Sequence, residues 1–212
     1  MRLFLKFQTK SLLTLLIFAL VTFSYSQNDT EKIKALVALG INSPSSSGFV
    51  DNFASKGINF PTINLGLQYM FSKSLGARLD YGYNRITNSD ESIEFKSYYS
   101  RINAQAVFNA SSQINTGNRV ATYLHAGPGY SISRPLGVFK ENKTTFLNAM
   151  AGVEFHYGLS DSVSLFVDTS YIVGFGKDFT PIETGFGAFN GNMLTVTFGA
   201  AISLSGCYFC RL

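Results

Sequence analysis

Residues 62–86 read TINLGLQYMFSKSLGARLDYGYNRI, two runs of strict alternation about a short Ser-Lys-Ser turn. A strand sends successive side chains to opposite faces, so Ile63, Leu65, Leu67, Tyr69 and Phe71 share one face, and Thr62, Asn64, Gly66, Gln68 and Met70 share the other. Beyond Ser72, Lys73 and Ser74, the apolar face continues through Leu75, Ala77, Leu79, Tyr81 and Tyr83, and the polar face through Gly76, Arg78, Asp80, Gly82 and Asn84. The stretch is a β-hairpin with one greasy face and one small, polar or charged face. A hairpin of this kind serves a soluble sheet or a barrel in lipid equally well. Its repetition along the chain decides between them.

The same alternation recurs to give eight strands in all. The first covers Lys32 to Ile41, and the hairpin supplies the second and third. Tyr98 to Phe108, Val120 to Tyr130, Leu147 to Tyr157, Val163 to Val173 and Leu194 to Leu204 supply the rest. Pro128 lacks a ladder donor, which predicts a bulge or a strand end in strand five. The intervening segments are long after odd strands and shorter after even ones. Long external loops, short internal turns and strands of about ten residues are the pattern of an up-and-down barrel crossing a bilayer. The fold class is therefore all-β, an eight-stranded antiparallel transmembrane β-barrel spanning residues 27–205, with residues 206–212 as a short tail.

The chain opens on Arg2, Lys6 and Lys10, then an apolar run from Leu12 to Phe23 and a small-x-small site at Ser24-Tyr25-Ser26. This reads as a secretory signal peptide over residues 1–26. The apolar run is short of the roughly 20 residues a spanning helix needs. The full chain carries a formal charge of +4, but without the leader's three basic residues 14 Lys and Arg face 13 Asp and Glu. That near balance gives no argument for a nucleic-acid partner. Beyond the leader no long apolar run remains, so an exported chain residing in a membrane does so as a barrel, in which every backbone polar group is paired. Cys207 and Cys210 form a lone C-x-x-C in the tail, without the further ligands a zinc site needs or the strand-to-helix context of a redox motif.

The faces assign themselves in lipid. With the apolar faces outward, Arg85 is the one lipid-side charge, at the outer end of its strand where its head reaches water. With the faces reversed, Lys34, Arg78, Asp80, Arg101, Glu154 and Asp168 would all meet hydrocarbon, at roughly 2–4 kcal/mol for each basic residue near the midplane. The strand glycines also fall on the polar face, as the crowded inside of a narrow cylinder requires. Aromatics on the apolar face sort by height: Tyr69, Phe71, Phe108, Phe155 and Tyr157 near the turns, and Tyr81, Tyr83, Tyr98, Tyr130 and Tyr171 near the loops. They make two interfacial girdles.

With this hairpin repeat, and with stretches such as Tyr123-Leu-His-Ala-Gly-Pro-Gly-Tyr130 and Gly152-Val-Glu-Phe155, the chain resembles the OmpA-type eight-stranded outer-membrane barrels of Gram-negative bacteria from about Glu31 to Ser205. The resemblance implies an outer-membrane location and a porin-like family. Members often carry a C-terminal peptidoglycan-binding domain, for which the residues up to Leu212 give no match, so wall anchoring is not expected.

The six inward charges balance three to three, which predicts a paired network filling the lumen, with Asp80 diagonal to Arg101 across strands three and four. The only histidines, His125 and His156, are both expected inward, and no Ser, His and acid set gathers at the loop side. No catalytic residue, cofactor or metal ligand is assigned. The expected partners are outer-membrane lipid and an external ligand met by the loops, whose Ser, Asn, Gly and Phe content fits surface recognition. Two other readings are a small-solute or ion channel, and a soluble lipocalin-like binder with an apolar ligand cavity.

Overall fold

The computed structural model describes residues 32–114 and 119–205. The signal peptide expected over residues 1–26, Cys207 and Cys210 lie outside the described residues. Eight strands follow in chain order: β1 (Ile33–Pro44), β2 (Asn59–Met70), β3 (Leu75–Thr87), β4 (Lys96–Asn109), β5 (Val120–Pro135), β6 (Thr144–Gly158), β7 (Val163–Gly174) and β8 (Met193–Ser203). Each pairs antiparallel with the next, and β8 returns to β1, closing the barrel without a free edge. The hairpin of residues 62–86 is β2–β3, in register from Thr62↔Asn84 through Leu67↔Leu79 to Met70↔Gly76.

The alternation resolves into an outer apolar belt and an inner polar column. Val37, Leu65, Leu79, Ile102, Leu147 and Phe198 are exposed on the outside, while Lys34, Arg78, Asp80, Arg101, Glu154 and Asp168 are all buried inside. In water each half-exposed leucine or valine would forgo about 1 kcal/mol of burial; a hydrocarbon surround removes that cost.

Two expectations need correction. β5 neither ends nor bulges at Pro128: it continues to Pro135, and Pro128 stays in register opposite Ala149 of β6. The ladder is interrupted only on the β4 side, between Asn103↔Gly129 and Ala106↔Ala126, and register is kept across the gap. The β4 backbone presses inward there, since a Cβ on Gly127 would overlap the Ala104 carbonyl oxygen. One missing donor is thus absorbed by a local gap rather than by an extra residue. Loop lengths also alternate less strictly than the sequence implied. The β4–β5 connection, residues 110–119, holds a helical turn at Ser111–Ile114 and is longer than the β3–β4 and β5–β6 connections on the opposite rim, residues 88–95 and 136–143.

Candidate functional site

An eight-stranded barrel has an interior just wide enough for its own side chains, and here alternate strand positions deliver them. At the turn end, the Lys34 ammonium donates to the Tyr123 hydroxyl at 3.0 Å and lies 5.0 Å from that ring's centroid. Met70, Val107, Ala121 and Tyr123 pack into a small apolar floor. His156 stacks on Phe166 beside it, at 4.9 Å between centroids.

Two ion-pair clusters stand above this floor. Arg78 of β3 meets Glu154 of β6 across the lumen with both terminal nitrogens, one at 2.7 Å. Its Nε and Nη2 also donate to Gln68 Oε1, at 3.1 and 2.6 Å, and Glu154 Oε2 lies 3.0 Å from His156 Nε2. Arg101 of β4 pairs with Asp80 of β3, the diagonal neighbour, and donates to Asn103 and Asn64 at 3.2 Å each. From Asn103 the network climbs through Asn148 and Ser131 to the Tyr99 hydroxyl, with contacts of 2.6, 2.8 and 2.7 Å. Asp168 accepts from the Ser170 hydroxyl at 2.6 Å and lies 3.4 Å from His125 Nε2. Glycines make room for the largest groups. A Cβ on Gly82 would sit 2.7 Å from Arg101 Nε, and one on Gly152 2.6 Å from His125 Nε2.

Three features of this interior were not legible in the sequence. First, His125, Glu154 and Asp168 each bring a potential ligand atom within 4.8 Å of the others. They come from three strands, so no spacing announces them. Both Glu154 oxygens are already held by Arg78, whose guanidinium supplies the positive charge that a cation would bring. Second, two Ser, His and acid sets converge inside the lumen rather than at the loop side: Ser170, His125 and Asp168, and Ser164, His156 and Glu154, with His156 Nδ1 3.1 Å from Ser164 Oγ. The adjoining cavity, bordered by Arg78, Asp80, Glu154 and Asp168, has a volume of about 10 Å³. That is room for one water and not for an acyl or sugar substrate, nor for the apolar ligand of a lipocalin-like binder.

Third, the loop phenylalanines turn inward. Phe49 and Phe53 from the β1–β2 loop, Phe95, Phe139, Phe186 and Phe189 gather over Tyr99, Phe146 and Met193 as one apolar cluster across the mouth. Phe49 lies 5.0 Å from Phe189, and Phe53 stacks on Phe186 at 5.2 Å. Backbone bonds stitch the loops together: Ser45 N–H to the Asn192 carbonyl at 2.8 Å, Ser89 N–H to that of Ala54 at 2.8 Å, and Asn190 N–H to that of Gly48 at 3.1 Å. The Asn142 amide donates to the Glu183 and Phe186 carbonyls. Sequence alone gives these rings no direction, because loops lack the periodicity that sorts faces. Outside the cap, a recess of about 370 Å³ opens between the start of β6 and the β7–β8 loop, lined by Thr144, Thr145, Phe175, Lys177, Asp178 and Thr180 among others.

No protein-family model matches the chain, and no curated protein does. Solved structures do match. Neisserial surface protein A aligns with TM-score 0.54 at 17% identity, covering 81% of this chain and 96% of that one. A major outer membrane protein of Thermus thermophilus aligns with TM-score 0.52 at 12% identity, over 80% and 98% of the two chains. The outer membrane protein OprG of Pseudomonas aeruginosa gives 0.51 at 10% identity, over 83% and 98%. At these identities the likeness establishes architecture. By its closed antiparallel topology, apolar belt and filled lumen, the chain has the fold of the OmpA-type eight-stranded outer-membrane β-barrels.

Proposed function

We propose that the protein is a non-conducting, non-catalytic outer-membrane barrel with a structural or surface-interaction role, exported on the residue 1–26 leader, whose loop cap is the surface offered to external ligands. The observation that carries this reading is the double closure of the lumen: paired charges fill its middle, and a phenylalanine cluster roofs its mouth. Unpairing either arginine would strand a buried charge at a cost of about 3–5 kcal/mol, so the column does not open a hydrated path by small side-chain movements. The outer surface of the cap, with its threonine-lined recess, supports the interaction half of the proposal.

Conductance across a planar bilayer tests it. The wild-type barrel is expected to give no stable unitary steps, and neither is Arg101→Ala alone, because the phenylalanine roof and the Arg78–Glu154 pair remain; Arg101→Ala combined with Phe189→Ala, which weakens both closures, is expected to introduce flickering events. Stable steps from the wild type, lost on mixing in a blocking solute, would replace the proposal with a small-solute channel.

A further inference from the structure

We infer that the outward face of the loop-side rim, where Arg85, Lys96, Arg134 and Lys143 meet across four adjacent strands, binds the phosphate groups of an anionic lipid in the outer leaflet. The inference rests on the membrane placement proposed above.

Register brings the four together. Arg85 of β3 is paired with Tyr98 of β4, and Tyr98 with Arg134 of β5. The β5–β6 ladder ends at Ser133↔Thr144, so Lys143 follows directly beside Arg134, and Lys96, paired with Thr87, stands one outward step above Tyr98. Arg85 alternates with the fully buried Asn84 and Ile86, and Arg134 with the buried Ser133 and Pro135, so both point away from the lumen. The lumen network, which balances its own charges, therefore has no use for them.

Height puts the row at the headgroups. From Leu75 to Tyr83 the outward side of β3 is apolar or aromatic, about 27 Å of strand and about 21 Å of membrane thickness at a tilt of about 40°. Arg85 stands one outward position higher, at the edge of an apolar band that is typically about 25 Å tall. Tyr83 stands one outward position beneath Arg85 and packs against Tyr98, which sits in the row between Arg85 and Arg134, with ring centroids 5.3 Å apart.

The row also carries little counter-charge. Among the described residues the one acid within salt-bridge distance is Glu94, 4.0 Å from Lys96 and largely exposed. Arg85 Nε has no hydrogen-bond partner and is covered by protein, so a phosphate oxygen satisfies it only once the side chain turns outward. Arginine forks and a lysine ammonium on neighbouring strands suit a multiply charged, fixed headgroup better than a single carboxylate.

Native mass spectrometry of the full-length mature barrel, released from detergent with equimolar phosphatidylglycerol and phosphatidylcholine of the same chain length, reads the preference directly. The wild type is expected to retain the anionic lipid selectively. Arg85→Gln combined with Arg134→Gln is expected to lower that selectivity about 25-fold, from roughly fivefold per basic residue near a membrane surface. Lys73→Gln, in the turn at the opposite rim, is expected to leave most of it. Heat-dependent gel mobility checks that each variant is folded. Equal retention of both lipids by the wild type, or a loss in Lys73→Gln as large as in the double variant, overturns the inference. A chain that inserts into vesicles of neither lipid defeats the membrane reading itself, whereas insertion into both without preference defeats only the row.

Discussion

Replacing Glu154 by glutamine leaves the shape of the lumen unchanged and removes the charge facing Arg78, a pair whose members are 5% (Arg78) and 1% (Glu154) exposed. Breaking a buried pair from one side costs about 3–5 kcal/mol, because the remaining ion keeps its desolvation penalty. The amide oxygen still accepts from the guanidinium, and Gln68 still holds the other side of Arg78, so the lower end, about 3 kcal/mol, is expected. With a urea m-value of about 2–3 kcal/mol/M, the unfolding midpoint falls by about 1–1.5 M. The assay is the fraction of heat-shiftable protein after equilibration in urea with lipid vesicles. The decisive variant is the double replacement Arg78→Met with Glu154→Leu, which takes both charges out. It leaves Gln68 and His156 each short of one partner, about 1 kcal/mol apiece, so it is expected to be more stable than Glu154→Gln alone. A double variant that loses as much as the two single changes added together would refute the view that these charges act as one coupled pair.

The inward glycines divide by what lies against them. Gly152→Ala places a methyl in overlap with Ser170 Oγ and 2.6 Å from His125 Nε2, and is expected to cost about 1–3 kcal/mol in the same urea titration. Gly66→Ala meets nothing closer than 3.4 Å and is expected to leave the midpoint nearly unchanged. Phe189→Ala removes a fully buried ring from the cap, a change worth about 3–5 kcal/mol in a closed core. Because the cap sits above a barrel closed by its own ladders, the expected result is faster proteolysis of the loops on intact cells with the heat-dependent shift preserved. Loss of that shift would mean that the cap and the barrel fold as one unit.

The separation of roles between local pattern and tertiary contact is clear residue by residue. Arg78, Asp80 and Gly82 alternate with Leu79 and Tyr81, and that alternation alone fixes which of them face the lumen, because a one-residue slip would turn the whole greasy face inward. The Asp80 to Arg101 contact was legible for the same reason, since it lies on adjacent, hairpin-connected strands. The Arg78 to Glu154 contact was not: β3 and β6 are brought face to face only by closure of the cylinder. Pro128 is tolerated within β5 because a proline's penalty depends on which neighbouring strand its missing donor would face, and that is a property of the pairing rather than of the residue.

The amino-acid sequence by itself determined the strand count, the two-faced character of every strand and the membrane as solvent, since a period of two and the cost of charge in hydrocarbon are local properties of the chain. The tertiary structure alone decided which inward charges pair across the lumen, that the loop phenylalanines roof it, and that Arg85, Lys96, Arg134 and Lys143 form one basic row. Each of these is a contact between segments far apart in the chain, set by barrel closure and ladder register, and neither propensity nor periodicity carries that information.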